Sequence, residues 1–379
     1  MLEREDFYRI LRDTIKEYAR NVLHKEVKCE YEPFETCETW VINTALGFVS
    51  RVPAPGGVKT YMRSEFNVRG SRLKNIIGKT AVNVISLFPR LGSTNKIYVS
   101  KGSIDKEVFI VPQNRSIRFY NYAKKTVDCI VKSGFTSKYF DNQATFRKQY
   151  QYDFLNPMIE NGDGWFREPI LIGHPLVRTT DEKLFVDGTE YAIRYLKELA
   201  TDTLEWRQSN SYIEELRSNI IEKLQVAKDK KGIVEAEDAA VIVDNAIKWA
   251  KKYDGELPIC VSHGDFQSGN IWIEPNGRTL IYDWETTGRR SVWYDSATLS
   301  YSLRRAYGWT SLMEDLSGKG MLLCVPDGVE TNAPVRSMMG IILLEDILFY
   351  LDDMLELPEN WGRDDFDGFI NNIKMLNWE

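Results

Sequence analysis

Between residues 4 and 23 apolar side chains recur every three or four positions. Phe7, Ile10, Leu11, Ile15, Tyr18, Val22 and Leu23 share one face, so the spacing predicts an amphipathic helix. From 38 to 110 the runs shorten. Trp40-Val41-Ile42, Val82-Asn83-Val84-Ile85, Ile97-Tyr98-Val99 and Val108-Phe109-Ile110-Val111 read as strands, set apart by Pro53-Ala54-Pro55-Gly56-Gly57 and Leu91-Gly92-Ser93. Ser116–Tyr120 alternates, Ala123-Lys124-Lys125 turns, and Thr126–Lys132 runs back, which predicts a hairpin. Residues 139–160 read as a helix that ends before Gly162-Asp163-Gly164. Past 187 the pattern turns helical. Asp187-Gly188-Thr189-Glu190 reads as a cap, two charged helices follow near 210–228 and 235–253, and a strand at Ile259-Cys260-Val261 precedes a further helical stretch.

The chain has 379 residues, 43% of them hydrophobic and 27% charged, which predicts an ordered protein of two or three lobes. The N-terminus is charged, and the most apolar run, Met338 to Leu344, is too short to cross a bilayer. A cytoplasmic protein is expected. Five cysteines without a C-x-x-C pair predict reduced, packed thiols, and three scattered histidines do not suggest zinc. Charge is uneven: residues 51–150 carry 19 Lys and Arg against 5 Asp and Glu, while the net charge of the whole chain is −6. A basic middle facing phosphates and an acidic second half facing a cation is one reading; two solvated surfaces of opposite sign is the other. Arg51, Lys59, Arg63, Arg69, Arg72, Lys74 and Lys79 cluster in sequence, but no nucleic-acid motif accompanies them, so nucleic acid is not the expected partner.

The chemistry concentrates in His263-Gly264-Asp265-Phe266-Gln267-Ser268-Gly269-Asn270, followed by Tyr282-Asp283-Trp284-Glu285. Phosphoryl transfer from ATP needs a carboxylate to orient the acceptor hydroxyl and a few hard oxygen ligands for Mg²⁺. Asp265 and Asn270 lie five residues apart on a glycine-containing loop. Ile271-Trp272-Ile273 and Thr279-Leu280-Ile281-Tyr282 flank Asn276-Gly277, a hairpin signal that returns Asp283 to the same loop.

H-G-D-x-x-x-x-N, a short hairpin and then D-W-E resembles the aminoglycoside phosphotransferase and choline kinase group, specifically over residues 257–300. The resemblance implies an α+β, bilobal protein-kinase-like fold, with a β-rich N-terminal lobe and a mainly helical C-terminal lobe. It implies ATP and Mg²⁺ as cofactors, Asp265 as catalytic base, and Asn270 and Asp283 as Mg²⁺ ligands. It also implies that His263 holds the loop's shape and that Asp295, in Tyr294-Asp295-Ser296-Ala297, braces it. Glu285 is assigned a place around the metal ligands. The acceptor is expected to be a hydroxyl of a small molecule, such as an aminoglycoside, a sugar or an amino alcohol.

A kinase-like first lobe needs a strand lysine at the phosphates and a glutamate on the next helix. Lys132 is the candidate, but no Glu occurs between Glu107 and Glu160; Gln143 and Gln149 stand in that helix. Two turns are candidates to cover the phosphates: Leu91-Gly92-Ser93-Thr94-Asn95, which offers Ser93 and Asn95, and Tyr122-Ala123-Lys124-Lys125. Pro169–Pro175 is read as the adenine-side linker or as a plain strand and turn. Glu345, Asp346, Asp352, Asp353 and Glu356 read as a solvated helix face or an amine-binding one, and Tyr301, Tyr307, Trp309 and Trp361 as acceptor pocket or core. The expected divisions are an accessory region at 1–90, a kinase-like lobe at 91–172 and a catalytic lobe at 173–379. The missing glutamate leaves open a pseudokinase or scaffold that binds nucleotide or a partner without turnover.

Overall fold

The computed structural model describes residues 6–44, 46–65, 95–358 and 361–376. The chain forms two compact units, one of residues 1–188 and 271–282, the other of 189–270 and 283–379. The fold is mixed α and β, with an antiparallel sheet dominating the first unit and helices the second.

In the first unit, helix α1 (Phe7–Asn21) starts at Asp6, whose carboxylate accepts from the Arg9 amide. It buries Phe7, Leu11, Ile15 and Tyr18 on a nine-stranded sheet. The sheet comprises β1 (Cys29–Glu30), β2 (Cys37–Asn43), β3 (Phe48–Arg51), β4 (Asn95–Ser100), β5 (Val108–Pro112), β6 (Ser116–Asn121), β7 (Thr126–Val131), β8 (Glu160–Gly162) and β9 (Trp165–Pro169), in the order β1-β4-β2-β3-β5-β6-β7-β9-β8. Strands of the 1–90 segment are therefore woven into the same sheet as those of 91–172. Tyr18 stacks on Phe119 at 3.6 Å, and its hydroxyl donates to Asp128 at 2.9 Å, which also takes the Arg167 guanidinium. This satisfies a carboxylate on the helix-covered face.

The opposite sheet face packs against helix α2 (Gly56–Glu65) and helix α3 (Lys138–Gln149) through Val58, Met62, Phe109, Tyr120, Cys129, Phe140 and Phe166. α3 is shorter than the 139–160 helix that the pattern predicts. At Tyr150 the backbone is extended, with φ −116° and ψ 127°. Tyr150, Tyr152 and Phe154 then stack in alternation, ring to ring at 6.0 and 4.8 Å, as an extended chain allows and a helix does not. Residues 160–169 become the hairpin of β8 and β9. The predicted strand Val82–Ile85 lies outside the described residues, as do Arg69, Arg72, Lys74 and Lys79. Arg51 is committed to structure: it pairs with Glu38, donates to the Ile104 and Asp105 carbonyls, and lies over Trp40.

A small sheet of β10 (His174–Pro175), β13 (Ile271–Ile273) and β14 (Thr279–Ile281) completes the first unit. The β13–β14 register pairs Ile271 with Ile281 and closes on Asn276-Gly277, with Gly277 at φ +83°, as that dipeptide predicts. Gly173, at φ +130°, passes so close that a Cβ there would meet the Ile273 carbonyl at 2.0 Å.

In the second unit the chain supplies helix α4 (Glu182–Thr203) from Thr189 on, α5 (Ser209–Lys231), α6 (Ala236–Ala250), α7 (Tyr294–Tyr301), α8 (Gly308–Glu314), α9 (Val335–Glu356) and α10 (Arg363–Lys374), with β11 (Glu205–Gln208), β12 (Glu256–Ser262) and β15 (Gly288–Ser291) as a three-stranded sheet. α4 begins before the Asp187–Glu190 cap that the sequence suggests. α9 is the central element and is buried along most of its length. Its Gly340 meets α6, where a Cβ would stand 2.6 Å from the Ala246 carbonyl. All five cysteines are free thiols. Among the described residues no helix is long and apolar enough to cross a membrane.

The close approach at Gly340 generates a prediction. Gly340→Ala should lower the unfolding free energy by about 1–3 kcal/mol through forced separation of α6 and α9, although alanine is the better helix former. Urea denaturation measures this, and an unchanged or raised midpoint would refute the contact.

Candidate active site

β12 ends at Ser262, and the antiparallel register pairs Ser262 with Gly288 of β15. The start of the 263–270 loop therefore lies opposite the end of the 283–287 segment. Side chains lock the two together. Thr286 donates to the His263 carbonyl at 3.1 Å and Thr287 to the Ser262 carbonyl at 2.9 Å. The His263 ring, fully buried, lies 4.6 Å from Trp284, and its Nδ1 accepts from the Asp265 amide at 3.3 Å.

The loop is held from below by Asp295, which is buried in the first turn of α7. Its Oδ2 accepts the His263 amide at 2.7 Å; its Oδ1 accepts the Gly264 amide at 3.0 Å and the Ser262 hydroxyl at 2.9 Å. Gly264 has φ +86°, and a Cβ there would meet the Thr286 carbonyl at 2.4 Å. Only glycine fits that backbone and that gap.

Above this brace, Asp265 is about a quarter exposed, at 23% of its side chain. Asn270 donates from Nδ2 to the Asp265 carbonyl at 2.9 Å and to its Oδ2 at 3.1 Å. Gln267 also donates to Oδ2, at 3.0 Å. With its amide nitrogen engaged, Asn270 has Oδ1 as the side-chain oxygen that could serve a metal. The loop that begins at Asp265 and the chain leaving β14 at Asp283 flank the closed hairpin. Asp283 adopts φ +69° and ψ 52°, a left-handed conformation uncommon outside glycine but tolerated by aspartate. The structure thus brings Asp265, Asn270, His263 and Asp295 into one network within the second unit, with Asp283 on the segment clamped beside it.

Arg304 escaped the sequence reading altogether. It follows α7, and its Nε donates to Asp265 Oδ1 at 3.1 Å. Its Nη1 reaches Asp346 at 2.5 Å, and Nη2 reaches the Gly264 carbonyl and Tyr294 hydroxyl, both at 2.8 Å. Burial by itself lowers the Arg304 pKa, but Asp346, Tyr294 and Asp265 outweigh it and hold the guanidinium charged well above its usual range. No motif signalled this residue, because its partners lie on three separate elements.

Neither reading of Glu345 and Asp346 as a helix face open to solvent or to amines survives. Both are buried, at 2% and 0% exposure. Asp346 accepts from Arg304, Tyr294 and Trp309. Glu345 accepts from the Ser291 amide and hydroxyl and from Tyr212. Trp309 is spent in the core; Tyr307 is exposed at 62%.

In the first unit Lys132 follows β7 and is 1% exposed; its amide donates to the Arg115 carbonyl at 3.0 Å, and its Nζ lies 5.3 Å from the Phe135 ring. Ser93 lies outside the described residues. Asn95 opens β4, with its amide bonded to the Tyr8 hydroxyl. Five steps of strand order separate β4 from β7, roughly 24 Å of sheet, so the structure does not bring Asn95 beside Lys132. The 122–125 turn lies at the other end of β7, about 20 Å along the strand. The turn at the Lys132 end joins β5 to β6 and consists of Gln113-Asn114-Arg115. Lacking glycine, it gave no turn signal strong enough to be read. In α3 the Gln149 amide donates to Tyr150 at 3.1 Å, and the buried Glu168 is taken by Arg147 at 2.8 Å.

Residues 192–316, which contain Asp265, Asn270, Asp283, Asp295 and Arg304 but not Asp346, match the phosphotransferase enzyme family. That segment carries the family resemblance which the H-G-D-x-x-x-x-N motif announces. Solved structures similar to the chain include a choline/ethanolamine kinase family protein from Mesorhizobium loti, 15% identical with a TM-score of 0.43, covering 71% of this chain and 92% of that one. A Plasmodium vivax ethanolamine kinase is 11% identical with a TM-score of 0.48, at 84% and 94% coverage. An aminoglycoside phosphotransferase from Streptomyces rimosus is 14% identical with a TM-score of 0.38, at 63% and 92% coverage. No curated protein sequence matches the chain.

Two outcomes follow from the brace and the buried acids. Asp295→Asn places an amide against a backbone N–H and removes the charge from three hydrogen bonds, so stability should fall by about 2–3 kcal/mol. The amides of His263 and Gly264 should lose hydrogen-exchange protection by tenfold or more; retained protection in that variant would contradict the brace.

Burial raises Glu345 from 4.5 to about 7, against the lowering effect of its Ser291 and Tyr212 hydrogen bonds. A carboxyl whose folded pKa lies above its unfolded one favours the fold fully below the unfolded value and ceases to as pH rises through the folded value. Wild type should therefore lose up to about 3 kcal/mol relative to Glu345→Gln between pH 4.5 and 7. Parallel slopes for the two proteins in urea titrations across that window would disprove it.

Proposed function

We propose that this protein is an ATP- and Mg²⁺-dependent kinase that phosphorylates a hydroxyl of a small molecule such as an aminoglycoside, a sugar or an amino alcohol. The observation that carries this reading is the held Asp265–Asn270 pair beside the Asp283 segment, inside the stretch that matches the phosphotransferase family. In it Asp265 orients the acceptor hydroxyl and takes its proton as the phosphoryl group moves. Asn270 Oδ1 and the Asp283 carboxylate are the metal ligands. Among the described residues no group of three or more His, Cys, Asp or Glu could hold a metal. An Asn–Asp pair that leaves its remaining positions to phosphate and water suits Mg²⁺, which keeps few protein ligands. Magnesium, when bound, neutralises charge developing on the transferred group.

Lys132 is assigned to the nucleotide phosphates, with the Gln113–Arg115 turn as their cover in place of Ser93 and Asn95. The Pro169–Pro175 segment serves the adenine side. The division into a nucleotide lobe and a catalytic lobe belongs to the same reading. One observation favours the alternative of a nucleotide-binding scaffold: α3 offers glutamine where such a lysine ordinarily finds glutamate.

The two readings part on turnover. Mg-ATP consumption across a panel of hydroxyl acceptors should be measurable in wild type and fall about 10²–10⁴-fold in Asp265→Ala. Asn270→Ala and Asp283→Ala should each raise the Mg²⁺ concentration needed for half-maximal rate. Equal rates in wild type and Asp265→Ala would sink the kinase reading; binding of ATP without turnover on any acceptor would favour the scaffold.

A further inference from the structure

We propose that Arg304 is a positioning residue for Asp265, a role that rests on the phosphotransfer reading. A general base works only if its carboxylate oxygen is held within hydrogen-bond reach of the acceptor, and a misplacement of an ångström costs rate steeply. Two side chains fix one oxygen of Asp265: Gln267 and Asn270 both donate to Oδ2, at 3.0 and 3.1 Å. Without a further contact the carboxyl would still turn about that edge. Arg304 supplies it, donating to the other oxygen, Oδ1, at 3.1 Å. Three of the carboxylate's roughly four acceptor positions are then taken, and the one left lies on Oδ1.

Arg304 can act this way because it is itself immobile. Its side chain is only 13% exposed. Asp346, at 0% exposure, holds Nη1 and is in turn held by the Tyr294 hydroxyl at 2.7 Å and the Trp309 indole at 3.0 Å. The Gly264 carbonyl and Tyr294 hydroxyl take Nη2, and the Phe349 ring lies 3.9 Å from the guanidinium carbon. The connection that carries it is equally constrained. Ser302 is left-handed at φ +54°, Arg305 N–H donates to the Ser302 carbonyl at 2.7 Å, and a Cβ on Gly308 would meet that carbonyl at 2.5 Å. A lysine in this place has one donor head and no fork, so it reaches Asp265 or Asp346 but not all four partners.

One guanidinium thus bridges two carboxylates, Asp265 and Asp346. The bridge also passes the burial of α9 to the loop: Asp346 sits in the core helix, and Arg304 extends its anchorage to the base.

The test compares Mg-ATP turnover of wild type, Asp265→Asn, Arg304→Lys and Arg304→Met on the acceptor panel. Arg304→Met is expected to lower kcat about 30- to 100-fold with the KM for ATP within twofold, and Arg304→Lys to recover at least fivefold over Arg304→Met. Because Arg304→Met alone strands a buried Asp346, the Arg304→Met, Asp346→Asn double variant is run beside it and should show the same kcat loss. A rate for Arg304→Met equal to wild type overturns the role, and a higher rate identifies Arg304 as a block on the base. Equal loss in Lys and Met variants with KM rising in parallel reduces it to a structural strut. Urea unfolding of the Asp265→Asn and Arg304→Met cycle separates this from the wider reading. If wild type consumes no Mg-ATP the kinase reading fails, yet the midpoint shift caused by Arg304→Met should still shrink by half or more in the Asp265→Asn background, and strict additivity refutes the hold on Asp265.

Discussion

One buried carboxylate sets the candidate site. Asp295 collects the Ser262 hydroxyl and the amides of His263 and Gly264, so consecutive donors of a turn point inward to one group. Three donors on one buried carboxylate satisfy its charge without a cation. Its place in the first turn of α7 adds a favourable helix end. Once those amides are committed, the turn at Gly264 has one conformation, and Asp265 emerges from it on the outer side. The position of the proposed base is thus decided two residues before the base itself.

A second layer grows from adjacent residues of α9. Consecutive helix positions point about 100° apart, so Glu345 and Asp346 serve different neighbours. Glu345 grips Ser291 at the end of β15, and Asp346 grips Arg304 and Tyr294. Two charges buried side by side would be costly if unpaired. Here one is matched by a guanidinium and the other, raised to about 7, is held by neutral donors. Their sequence context is an acidic helix and carries no sign of this. A charged residue in a helical pattern looks alike whether it meets water or an arginine 42 positions away.

The loop was legible because its determinants are local. His263 to Asn270, the Asn276-Gly277 hairpin and Asp283 to Asp295 fall within a few dozen residues, and turn chemistry fixes much of their geometry. Sheet order is not local. β4 precedes β5 in the chain yet lies three strands away from it, beyond β2 and β3, and nothing in the alternation of Asn95–Ser100 announces that. The 91–95 and 122–125 turns stand out in the sequence because they carry glycine or lysine, while Gln113–Arg115, at the Lys132 end of the sheet, carries no such mark. The helix at 139–160 failed for a related reason. Apolar residues in Tyr150–Phe154 suit a helix face and a stacked extended chain alike, and the aromatic stack decided between them.

This division also explains why Arg304 holds Asp265 while belonging to no motif. The loop network of Asp295, His263 and Asn270 can place the Asp265 backbone and one of its oxygens, since all its members lie between 263 and 295. Fixing the second oxygen needs a donor from outside that span, and a donor long enough to reach must itself be immobilised or it adds only conformational freedom. A fully buried acid on the core helix is the available anchor that moves least, because displacing it would disturb the packing of α9. Asp265 is therefore held through one oxygen by residues that sequence spacing reveals and through the other by the hydrophobic core, by way of a single guanidinium.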